Sequence, residues 1–356
     1  MKTERADVLV LGLGPAGASA AAEAARRGCD VLAIDRKREA GRPVQCAEFV
    51  PAMIGIEIGD LAASVRQAIR AMVTFVEDDA PEIKDNFPGH MLDRAAFDAA
   101  LVGKAQQAGA RCLFGVSVRS VRPDARVELA DGRSIVAGVV IGADGPRSLV
   151  GSAIGQVNRR LVETRQITVP LRHPHEATDI FLSADIPGGY GWLFPKGEVA
   201  NLGAGVDPAH KARLKDIVAD LHSSLVANGR VGANVLGMTG GPIPGGGMLR
   251  PRGTIGGRLA LLAGDAAGLA NPVTGAGIAA AVHSGKLAGE AAAAILAGIQ
   301  TAGADYEEEI ESLFKAALDR ARRRREELAA ISRIGVTPGK AALRRAWIAY
   351  PQYWTA

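Results

Sequence analysis

The sequence contains few cysteines and few aromatic residues, and it has no long uninterrupted apolar run. Its 356 residues include three cysteines, Cys29, Cys46 and Cys112, which lack any CxxC spacing. An odd number of cysteines argues against a disulfide framework, and three thiols cannot supply the four ligands of an iron–sulfur cluster. No stretch approaches the roughly 18 apolar residues of a membrane-spanning helix. The first residues lead from charges directly into a glycine-punctuated strand, unlike a signal peptide, so we expect a cytoplasmic protein.

The charge balance is mildly basic, with a formal net charge of +4. Much of the excess lies in the run Arg320–Arg325, which is typical of a solvated helix face and also suits an anionic membrane surface. Trp347, Tyr350, Tyr353 and Trp354 follow, and such residues favour membrane interfaces. Basic strips interleaved with aromatic residues are missing, so we expect no nucleic acid, and no histidine pattern supports a metal site. Peripheral membrane association is therefore a hypothesis.

A β-α-β unit opens the chain. The segment ADVLVLGLG reads as a short apolar strand, PAGASAAAEAARRG as an alanine-rich helix, and CDVLAIDR as a second strand. The junction carries a GxGxxG fingerprint, in which Gly12 permits a tight turn, Gly14 lets the backbone approach a pyrophosphate, and Gly17 allows close helix–strand packing. Pro15 and Ala16 complete the fingerprint at the helix N-terminus, where free N–H groups and the helix dipole favour phosphates.

The second strand ends in an acidic residue, Asp35, about 20 residues after the fingerprint. We expect Asp35 to accept a hydrogen bond from a ribose 2′-hydroxyl, which disfavours a 2′-phosphate. FAD or NAD therefore fits this site better than NADP. Arg36 follows directly and is included among the predicted cofactor contacts.

Two further glycine-rich turns follow strands, in the segments IGADG (141–145) and LAGDAAG (262–268). With the fingerprint they form the three-part pattern of flavoproteins built like p-hydroxybenzoate hydroxylase, whereas NAD dehydrogenases lack the second and third parts. The predicted cofactor contacts in these turns are Asp144, Gly264 and Asp265. Asp265 is expected to accept a hydrogen bond from a ribityl hydroxyl of the cofactor.

The segment PVTGAGI (272–278) places Gly275, Gly277 and Ile278 at the start of another helix. The positive end of that helix dipole, directed at the pyrimidine side of a flavin, would stabilise the negative charge of the reduced ring. The motifs together predict FAD as the cofactor.

Over residues 1–300 the chain resembles the geranylgeranyl reductase family. The resemblance rests on the three-part pattern, on the form GDAAG…NPxTGxGI, and on YGWLFPK at Tyr190–Lys196. It implies that the YxWxFP segment lines a cavity facing the flavin. It also implies cofactor contacts from a loop, from an arginine that opens a later helix, and from a strand residue near the adenine; these positions are Cys46, Ala47, Glu48, Arg94 and Val118.

One position differs from the family pattern. Phe49 stands where the loop usually has glycine. A ring at this position is expected to change the shape of the cavity beside the flavin.

We predict an α/β fold with a Rossmann-like, discontinuous FAD-binding domain, an inserted mainly β substrate domain and a helical C-terminus. The FAD-binding domain comprises residues 1–50, 90–154 and 256–300. The substrate domain comprises residues 51–89 and 155–255, and residues 301–356 form the C-terminal segment. Strands alternate with glycine and proline turns across 155–255, which supports the β assignment.

Saturating an unactivated alkene through flavin requires a hydride at one carbon, a proton at the other, and a dry apolar slot for the substrate. The candidate catalytic residues are Cys46, Tyr190 and Trp192. Cys46, Tyr190, water and the flavin itself remain open as the proton source, and Cys46 and Trp192 also suit an ordinary core. The segment NLGAGVD (201–207) has no following helix, so we reject it as a second nucleotide site. The reductant is expected to be NAD(P)H or a ferredoxin-like carrier.

The leading functional hypothesis is an FAD-dependent oxidoreductase that reduces C=C bonds of a prenyl, isoprenoid or other apolar substrate. One alternative is a flavin-dependent monooxygenase on the same scaffold. A further alternative is an electron-transfer flavoprotein that passes electrons to a quinone, which the lack of a cysteine cluster disfavours.

Overall fold

The computed structural model describes residues 3–52 and 61–355. Residues 53–60, which the sequence analysis assigned to the substrate domain, lie outside the described residues. The strands are β1 (Thr3–Leu11), β2 (Val31–Asp35), β3 (Phe49–Pro51), β4 (Val65–Ile69), β5 (Ala71–Val76), β6 (Glu82–Lys84), β7 (Gly89–Leu92), β8 (Arg111–Phe114), β9 (Val118–Val121), β10 (Arg126–Leu129), β11 (Ser134–Gly142), β12 (Leu161–Pro170), β13 (Ala177–Leu182), β14 (Gly191–Lys196), β15 (Val199–Val206), β16 (Gly237–Pro244), β17 (Arg252–Ile255) and β18 (Arg258–Leu262).

The helices connect these strands and form most of the C-terminal segment. They are α1 (Pro15–Arg26), α2 (Arg94–Gln107), α3 (Leu149–Ala153), α4 (Leu214–Ala227), α5 (Ile278–Leu296), α6 (Ala302–Arg333), α7 (Lys340–Arg345) and α8 (Pro351–Trp354), with short 3-10 turns at Leu61–Ser64, Pro208–Arg213 and Gly264–Ala267. Among the described helices, none combines the length and the apolar composition that a membrane-spanning segment needs.

The first sheet places the glycine-rich turns side by side. Its strands run in the order β17-β18-β11-β1-β2-β8, and β18, β11, β1, β2 and β8 are parallel neighbours. Because the carboxyl ends of parallel strands meet at one edge, the turns after β1, β2, β11 and β18 lie together there. This arrangement confirms the predicted α/β fold.

Small residues let α5 pack closely on α1, the helix of the fingerprint. A Cβ on Gly285 would lie 2.1 Å from the Ala16 carbonyl oxygen, and one on Gly289 would lie 2.5 Å from the Ala20 carbonyl oxygen. The alanine-rich sequences of both helices therefore reflect a backbone-to-backbone approach that larger side chains would prevent.

The second sheet has the order β16-β12-β15-β14-β13-β5-β6 and is antiparallel except for the pair β13–β5. One of its faces packs on α4 through aliphatic residues such as Leu193 and Leu202. The opposite face carries Trp192 and Phe194. The segment NLGAGVD lies in β15, as expected from the absence of a following helix.

A third, small sheet of β3, β7 and β4 connects the other two. It begins at Phe49, immediately after the loop that contains Cys46, and β7 leads directly into α2. The small sheet therefore follows the Cys46 loop directly and pairs the strand after this loop with the strand that precedes α2.

The C-terminal segment buries most of its aromatic residues. Trp347, Tyr350 and Tyr353 are buried in the protein, and only Trp354 of the four aromatic residues is exposed, at 55%. Three of the four aromatic residues therefore contribute to the protein interior, and membrane association of the segment stays a prediction. Ion pairs of α7 hold the segment against the second sheet. The Lys340 ammonium group pairs with Asp79 at 2.7 Å, and Arg344 pairs with Asp79 and Glu82.

Substituting Gly285 with alanine tests the helix contact. Gly285→Ala is expected to lower the free energy of unfolding by about 1–3 kcal/mol, because the added methyl group overpacks α5 against the backbone of Ala16. FAD affinity should fall with it, since Ala16 belongs to the fingerprint. Thermal unfolding and FAD titration measure both effects.

The matched control is Gly103→Ala, also in a helix interior but with open space around the added methyl group. This change should leave stability unchanged or raise it by about 0.5–1 kcal/mol. Equal effects of the two substitutions would contradict the close approach of α1 and α5.

Candidate active site

The fingerprint turn has the geometry of a phosphate cradle. Gly12 has a φ of +94°, and a Cβ there would lie 2.3 Å from the Ala143 carbonyl oxygen. A Cβ on Gly17 would lie 1.8 Å from the Gly12 carbonyl oxygen, whereas the space over Gly14 is open. Pro15 is the first residue of α1, and no side chain caps that helix. The helix N-terminus therefore keeps its N–H groups for an anion.

Asp35 holds the cradle in place from the end of β2. Its Oδ2 accepts a hydrogen bond from the Leu13 amide at 2.8 Å, and its Oδ1 accepts one from the Lys37 amide at 2.8 Å. A carboxylate has about four acceptor positions, so Asp35 retains capacity for a ribose hydroxyl. Arg36 is exposed beside it, and both cofactor contacts stay predictions.

Asp144 follows β11, and its carboxylate faces the start of α3. It accepts hydrogen bonds from the Ser148 hydroxyl at 2.5 Å and from the Leu149 amide at 2.7 Å. Burial raises the pKa of Asp144, and these bonds oppose the shift. Val118 is the first residue of β9, and its half-buried side chain packs against the hydrophobic core around the first sheet. The contacts of Asp144 and Val118 with the cofactor stay predictions.

The turn after β18 brings Asp265 near the guanidinium of Arg94. Burial raises the pKa of Asp265 to about 6, while Arg94 acts to lower it. Gly264 donates its amide to the Ser284 hydroxyl at 2.9 Å, which ties this turn to α5. Arg94 opens α2 and forms a two-bond ion pair with Asp98 at 3.0 and 3.1 Å. The carboxylate of Asp265 and the guanidinium of Arg94 thus lie near each other where the ribityl chain of the cofactor is expected.

The turn before α5 is organised by Asn271. Its Oδ1 accepts hydrogen bonds from the amides of Val273 at 2.9 Å and Thr274 at 3.0 Å. Gly275 has a φ of +72°, which favours glycine, and Gly277 precedes Ile278, the first residue of α5. The turn therefore leads directly into the N-terminus of α5.

Tyr190 joins the second sheet to that turn. Its hydroxyl donates to the Thr274 carbonyl oxygen at 2.6 Å. Burial raises the pKa of Tyr190, and the neighbouring Cys46 adds to the increase. Two of the predicted catalytic residues therefore lie together at the boundary between the sheets.

A buried network of polar side chains holds the loop that carries Cys46. Glu48, with a φ of +69°, accepts hydrogen bonds from Lys196 at 2.6 Å, from Asn201 at 2.9 Å and from the Arg94 amide at 3.0 Å. Asn201 also donates to the Ala47 carbonyl oxygen at 3.2 Å. Lys196, at the end of β14, is thus a partner of the loop and not only a surface charge.

Trp192 reaches the same loop through Gln166. Its indole N–H donates to Gln166 Oε1 at 3.1 Å, and Gln166 Nε2 donates to the Cys46 carbonyl oxygen at 3.3 Å. The Cys46 sulfur accepts a hydrogen bond from the Glu48 amide at 3.2 Å. The three candidate catalytic residues, Cys46, Tyr190 and Trp192, are therefore connected within one site.

Six rings form what we call the aromatic cluster. Tyr190 contacts Trp192 and Trp347, with ring centroids 5.7 and 4.7 Å apart. Phe49 contacts the cluster at Phe194, 5.7 Å away, and its effect on the shape of the cavity stays a prediction. The members are Phe49, Phe87, Tyr190, Trp192, Phe194 and Trp347.

Sequence reasoning missed several residues of the site. Asn271 stood within a quoted motif, but Gln166 lies in a strand without any motif, Asn201 begins the NLGAGVD segment that was considered only as a nucleotide site, and Trp347 lies beyond the resemblance. Alternation within a strand indicates that Gln166 and Asn201 share a face with other residues, but not that the face meets the Cys46 loop.

The cradle, the uncapped start of α1, the buried Arg94 and the half-buried Asp265 fit FAD. No group of residues suited to a metal ion occurs in residues 3–52 and 61–355. The chemistry of the site is therefore that of a flavin beside an apolar face.

Comparisons with known proteins agree with this geometry. A family described as an FAD binding domain matches residues 5–174, and the geranylgeranyl reductase catalytic domain matches residues 162–241. Digeranylgeranylglycerophospholipid reductase 1 of Methanopyrus kandleri is 36% identical over 314 residues, covering 80% of each chain. Reductase 2 of the same organism is 34% identical over 344 residues, covering 88% of this chain and 85% of its own.

Solved structures show the same architecture. A geranylgeranyl bacteriochlorophyll reductase-like protein from Thermoplasma acidophilum superposes with a TM-score of 0.82 at 26% identity, covering 96% of this chain and 90% of its own. PqsL of Pseudomonas aeruginosa, a probable FAD-dependent monooxygenase, gives a TM-score of 0.70 at 18% identity, covering 93% of this chain and 99% of its own. The second similarity shows a shared fold alone.

The raised pKa of Asp265 predicts a pH dependence of FAD binding. A carboxylate that accepts a hydroxyl hydrogen bond is stabilised in its ionised form, so FAD binding should lower this pKa. The dissociation constant of FAD should then rise as the pH falls below about 6, by at most about tenfold per pH unit. Fluorescence titration of FAD between pH 5 and 8 measures this pH dependence of the dissociation constant.

The control for this titration is Asp265→Asn, which has no proton to gain. Its FAD affinity should vary less over the same pH range than that of the natural protein. Parallel pH profiles for the two proteins would show that Asp265 does not contact the cofactor.

Substituting Cys46 with serine tests the contact of the loop with the flavin. In Cys46→Ser, FAD content should be unchanged, because the serine hydroxyl could keep the hydrogen bond from the Glu48 amide, but the rate or extent of flavin reduction by dithionite should change. Cys112→Ser is the matched control, since Cys112 is also half-buried but lies in β8. Identical reduction traces for both variants and the natural protein would return Cys46 to a packing role.

Proposed function

The chain belongs to the geranylgeranyl reductase family of FAD-dependent oxidoreductases, and we propose that it saturates carbon–carbon double bonds of an isoprenoid lipid. The observation that carries the proposal is the hydrogen bond from Tyr190 to Thr274, which joins the aromatic cluster to the turn at the flavin site. An apolar chain lying along the cluster would thereby reach the reactive part of the cofactor.

The face of the second sheet beside the flavin site suits an alkene. Trp192 and Phe194 are buried there with Met72 and Ile180. The indole N–H of Trp192 on this face is paired with Gln166. An apolar surface of this kind favours an isoprenoid and excludes water from the reaction.

Bound FAD, once reduced, supplies the hydride for this reaction. A proton must reach the other carbon, and Cys46 and Tyr190 are the candidates from the chain that the fold brings together. The Tyr190 proton is engaged by the Thr274 carbonyl oxygen, and its pKa is raised by burial. Cys46 instead accepts a hydrogen bond from the Glu48 amide and lies close to the guanidinium of Arg94. We therefore assign proton delivery to Cys46 and positioning of the turn to Tyr190.

The division of the chain follows from the same proposal. Residues 51–89 and 155–255 form the substrate domain, and residues 1–50, 90–154 and 256–300 form the FAD-binding domain. The strands of the second sheet all come from the first of these sets. The contacts of Glu48 and Tyr190 are then among the contacts between the domains.

The electron donor and the membrane contact are further parts of the proposal. NAD(P)H or a ferredoxin-like carrier would reduce the flavin from solution. Peripheral contact with anionic lipid would now rest on the exposed Arg323 and Trp354, since the other aromatic residues of the segment are buried.

The reaction is tested without oxygen. The flavin is reduced with dithionite, and geranylgeranyl, farnesyl or phytyl-type substrates are added. We expect flavin reoxidation together with products heavier by two hydrogens per reduced bond, followed by absorbance and mass spectrometry. A protein treated identically without substrate is the control.

Two outcomes would contradict the proposal. Reoxidation that needs oxygen and adds an oxygen atom to the product would establish a monooxygenase, the second function compatible with this fold. If no isoprenoid reoxidises the flavin, isoprenoids are excluded as the substrate class.

A further inference from the structure

One arginine beside the flavin site has a buried nitrogen atom without a hydrogen-bond acceptor among the described residues. This residue is Arg325 in α6, and the atom is its Nη2. Its Nη1 atom makes a single long contact of 3.4 Å to the Pro272 carbonyl oxygen. Burial lowers the pKa of this guanidinium, and Asp207 acts in the opposite direction. A buried cationic donor without an acceptor is costly, so its presence calls for an explanation.

The preceding residue shows how α6 satisfies an arginine when it is structural. Arg324 donates to the carbonyl oxygens of Tyr353 at 3.0 Å and Gln352 at 3.2 Å, and to Glu327 at 2.9 Å. Arg324 therefore fastens α8 to α6. Arg325 has no comparable role, because its one carbonyl contact leaves most of its donors unused.

The surroundings of Arg325 are suited to an anion. A Cβ on Gly245 would lie 3.5 Å from Arg325 Nε, and one on Gly247 would lie 3.3 Å from Arg322 Cδ. Arg160 approaches the same glycine loop and shares Glu326 with Arg322. The side chains of Arg325 and Arg322 thus border a loop without side chains, and Arg160 lies beside it. Glu326 and Asp319 neutralise part of this charge through Arg160 and Arg322.

Arg325 also adjoins the apolar part of the site. Leu328, one helical turn further along α6, packs against the aromatic cluster. Val273, next to the Pro272 carbonyl, packs there as well. An amphiphile with its tail on the cluster would therefore have its head near Arg325.

We infer that Arg325 binds a phosphate group of the isoprenoid substrate at the Gly245–Gly247 loop. The inference rests on the proposed isoprenoid substrate and adds the chemical class of its head. A phosphate oxygen accepts from a guanidinium in the geometry that Nη2 leaves unused. The phosphate of a prenyl diphosphate and that of a glycerolipid share this chemistry.

The first test measures stability without substrate. In the FAD-loaded protein, Arg325→Met should raise the melting temperature, because it removes a buried charge that has no partner. Arg324→Met is the matched variant on the same helix and should lower it, because it removes the donor to the carbonyl oxygens of Tyr353 and Thr355 and the ion pair with Glu327. A lower melting temperature for Arg325→Met would overturn the inference by showing that Arg325 is structural.

The second test measures binding to the oxidised protein through the change in flavin absorbance. The ligands are geranylgeranyl diphosphate, digeranylgeranylglycerophosphate and geranylgeraniol, with inorganic diphosphate as a competitor. Arg325→Met should weaken binding of a phosphate-bearing ligand by about tenfold or more. Geranylgeraniol affinity should be unchanged, Arg325→Lys should restore part of the loss, and Arg323→Met, an exposed neighbour, should match the natural protein.

The phosphate-bearing ligand that shows the larger loss identifies the source of the phosphate. Equal losses for geranylgeraniol and the phosphate-bearing ligands, no loss for any, or no binding of a phosphate-bearing ligand by the natural protein would overturn the inference. Arg325-dependent binding without anaerobic flavin reoxidation would support it while rejecting the proposed reaction.

Discussion

The site depends on the buried carboxylate of Glu48. A charge in the interior is tolerated only when hydrogen-bond partners surround it, and those partners come from separate parts of the fold. Lys196 and Asn201 belong to the second sheet, while the Arg94 amide starts the helix that follows the small sheet. Satisfying one carboxylate therefore fixes the second sheet relative to the start of α2 and sets the position of the neighbouring Cys46. Breaking such a network typically costs several kcal/mol.

The two halves of the site follow from this constraint. On one side, parallel strands bring the glycine-rich turns and Asp265 to one edge, where backbone groups and helix dipoles serve a nucleotide. On the other, the antiparallel sheet presents Trp192 and Phe194 as an apolar surface. Tyr190 is the direct bond between them, and Trp347 packs on its ring. The C-terminal segment thus completes the substrate side rather than leaving it open to solvent.

A fold shared by reductases and monooxygenases does not choose between the two chemistries. The choice depends on what the second sheet and the C-terminal segment place beside the flavin. Here those elements supply packed rings and the bond from Trp192 to Gln166, which suit a hydrocarbon chain. Arg325, whose Nη2 atom has no acceptor among the described residues, lies at the border of the apolar surface. A buried donor of this kind calls for an explanation, and a ligand that accepts a hydrogen bond from it is one.

The sequence alone determined the FAD-binding half, because its signals are local. The spacing of Gly12, Gly14 and Gly17, and of the acid at the end of β2, reflects contacts within one β-α-β unit, and family resemblance added Cys46, Tyr190 and Trp192. Only the tertiary structure decided how that resemblance is realised. Glu48 meets Lys196 and Asn201 across 148 and 153 residues of chain, and Trp347 meets Tyr190 from the C-terminal segment. Such contacts depend on how sheets and helices pack and leave no periodic pattern in the sequence. For the same reason the run Arg320–Arg325 reads as uniformly basic, although packing gives Arg324 a full set of partners and leaves the Nη2 atom of Arg325 without one among the described residues.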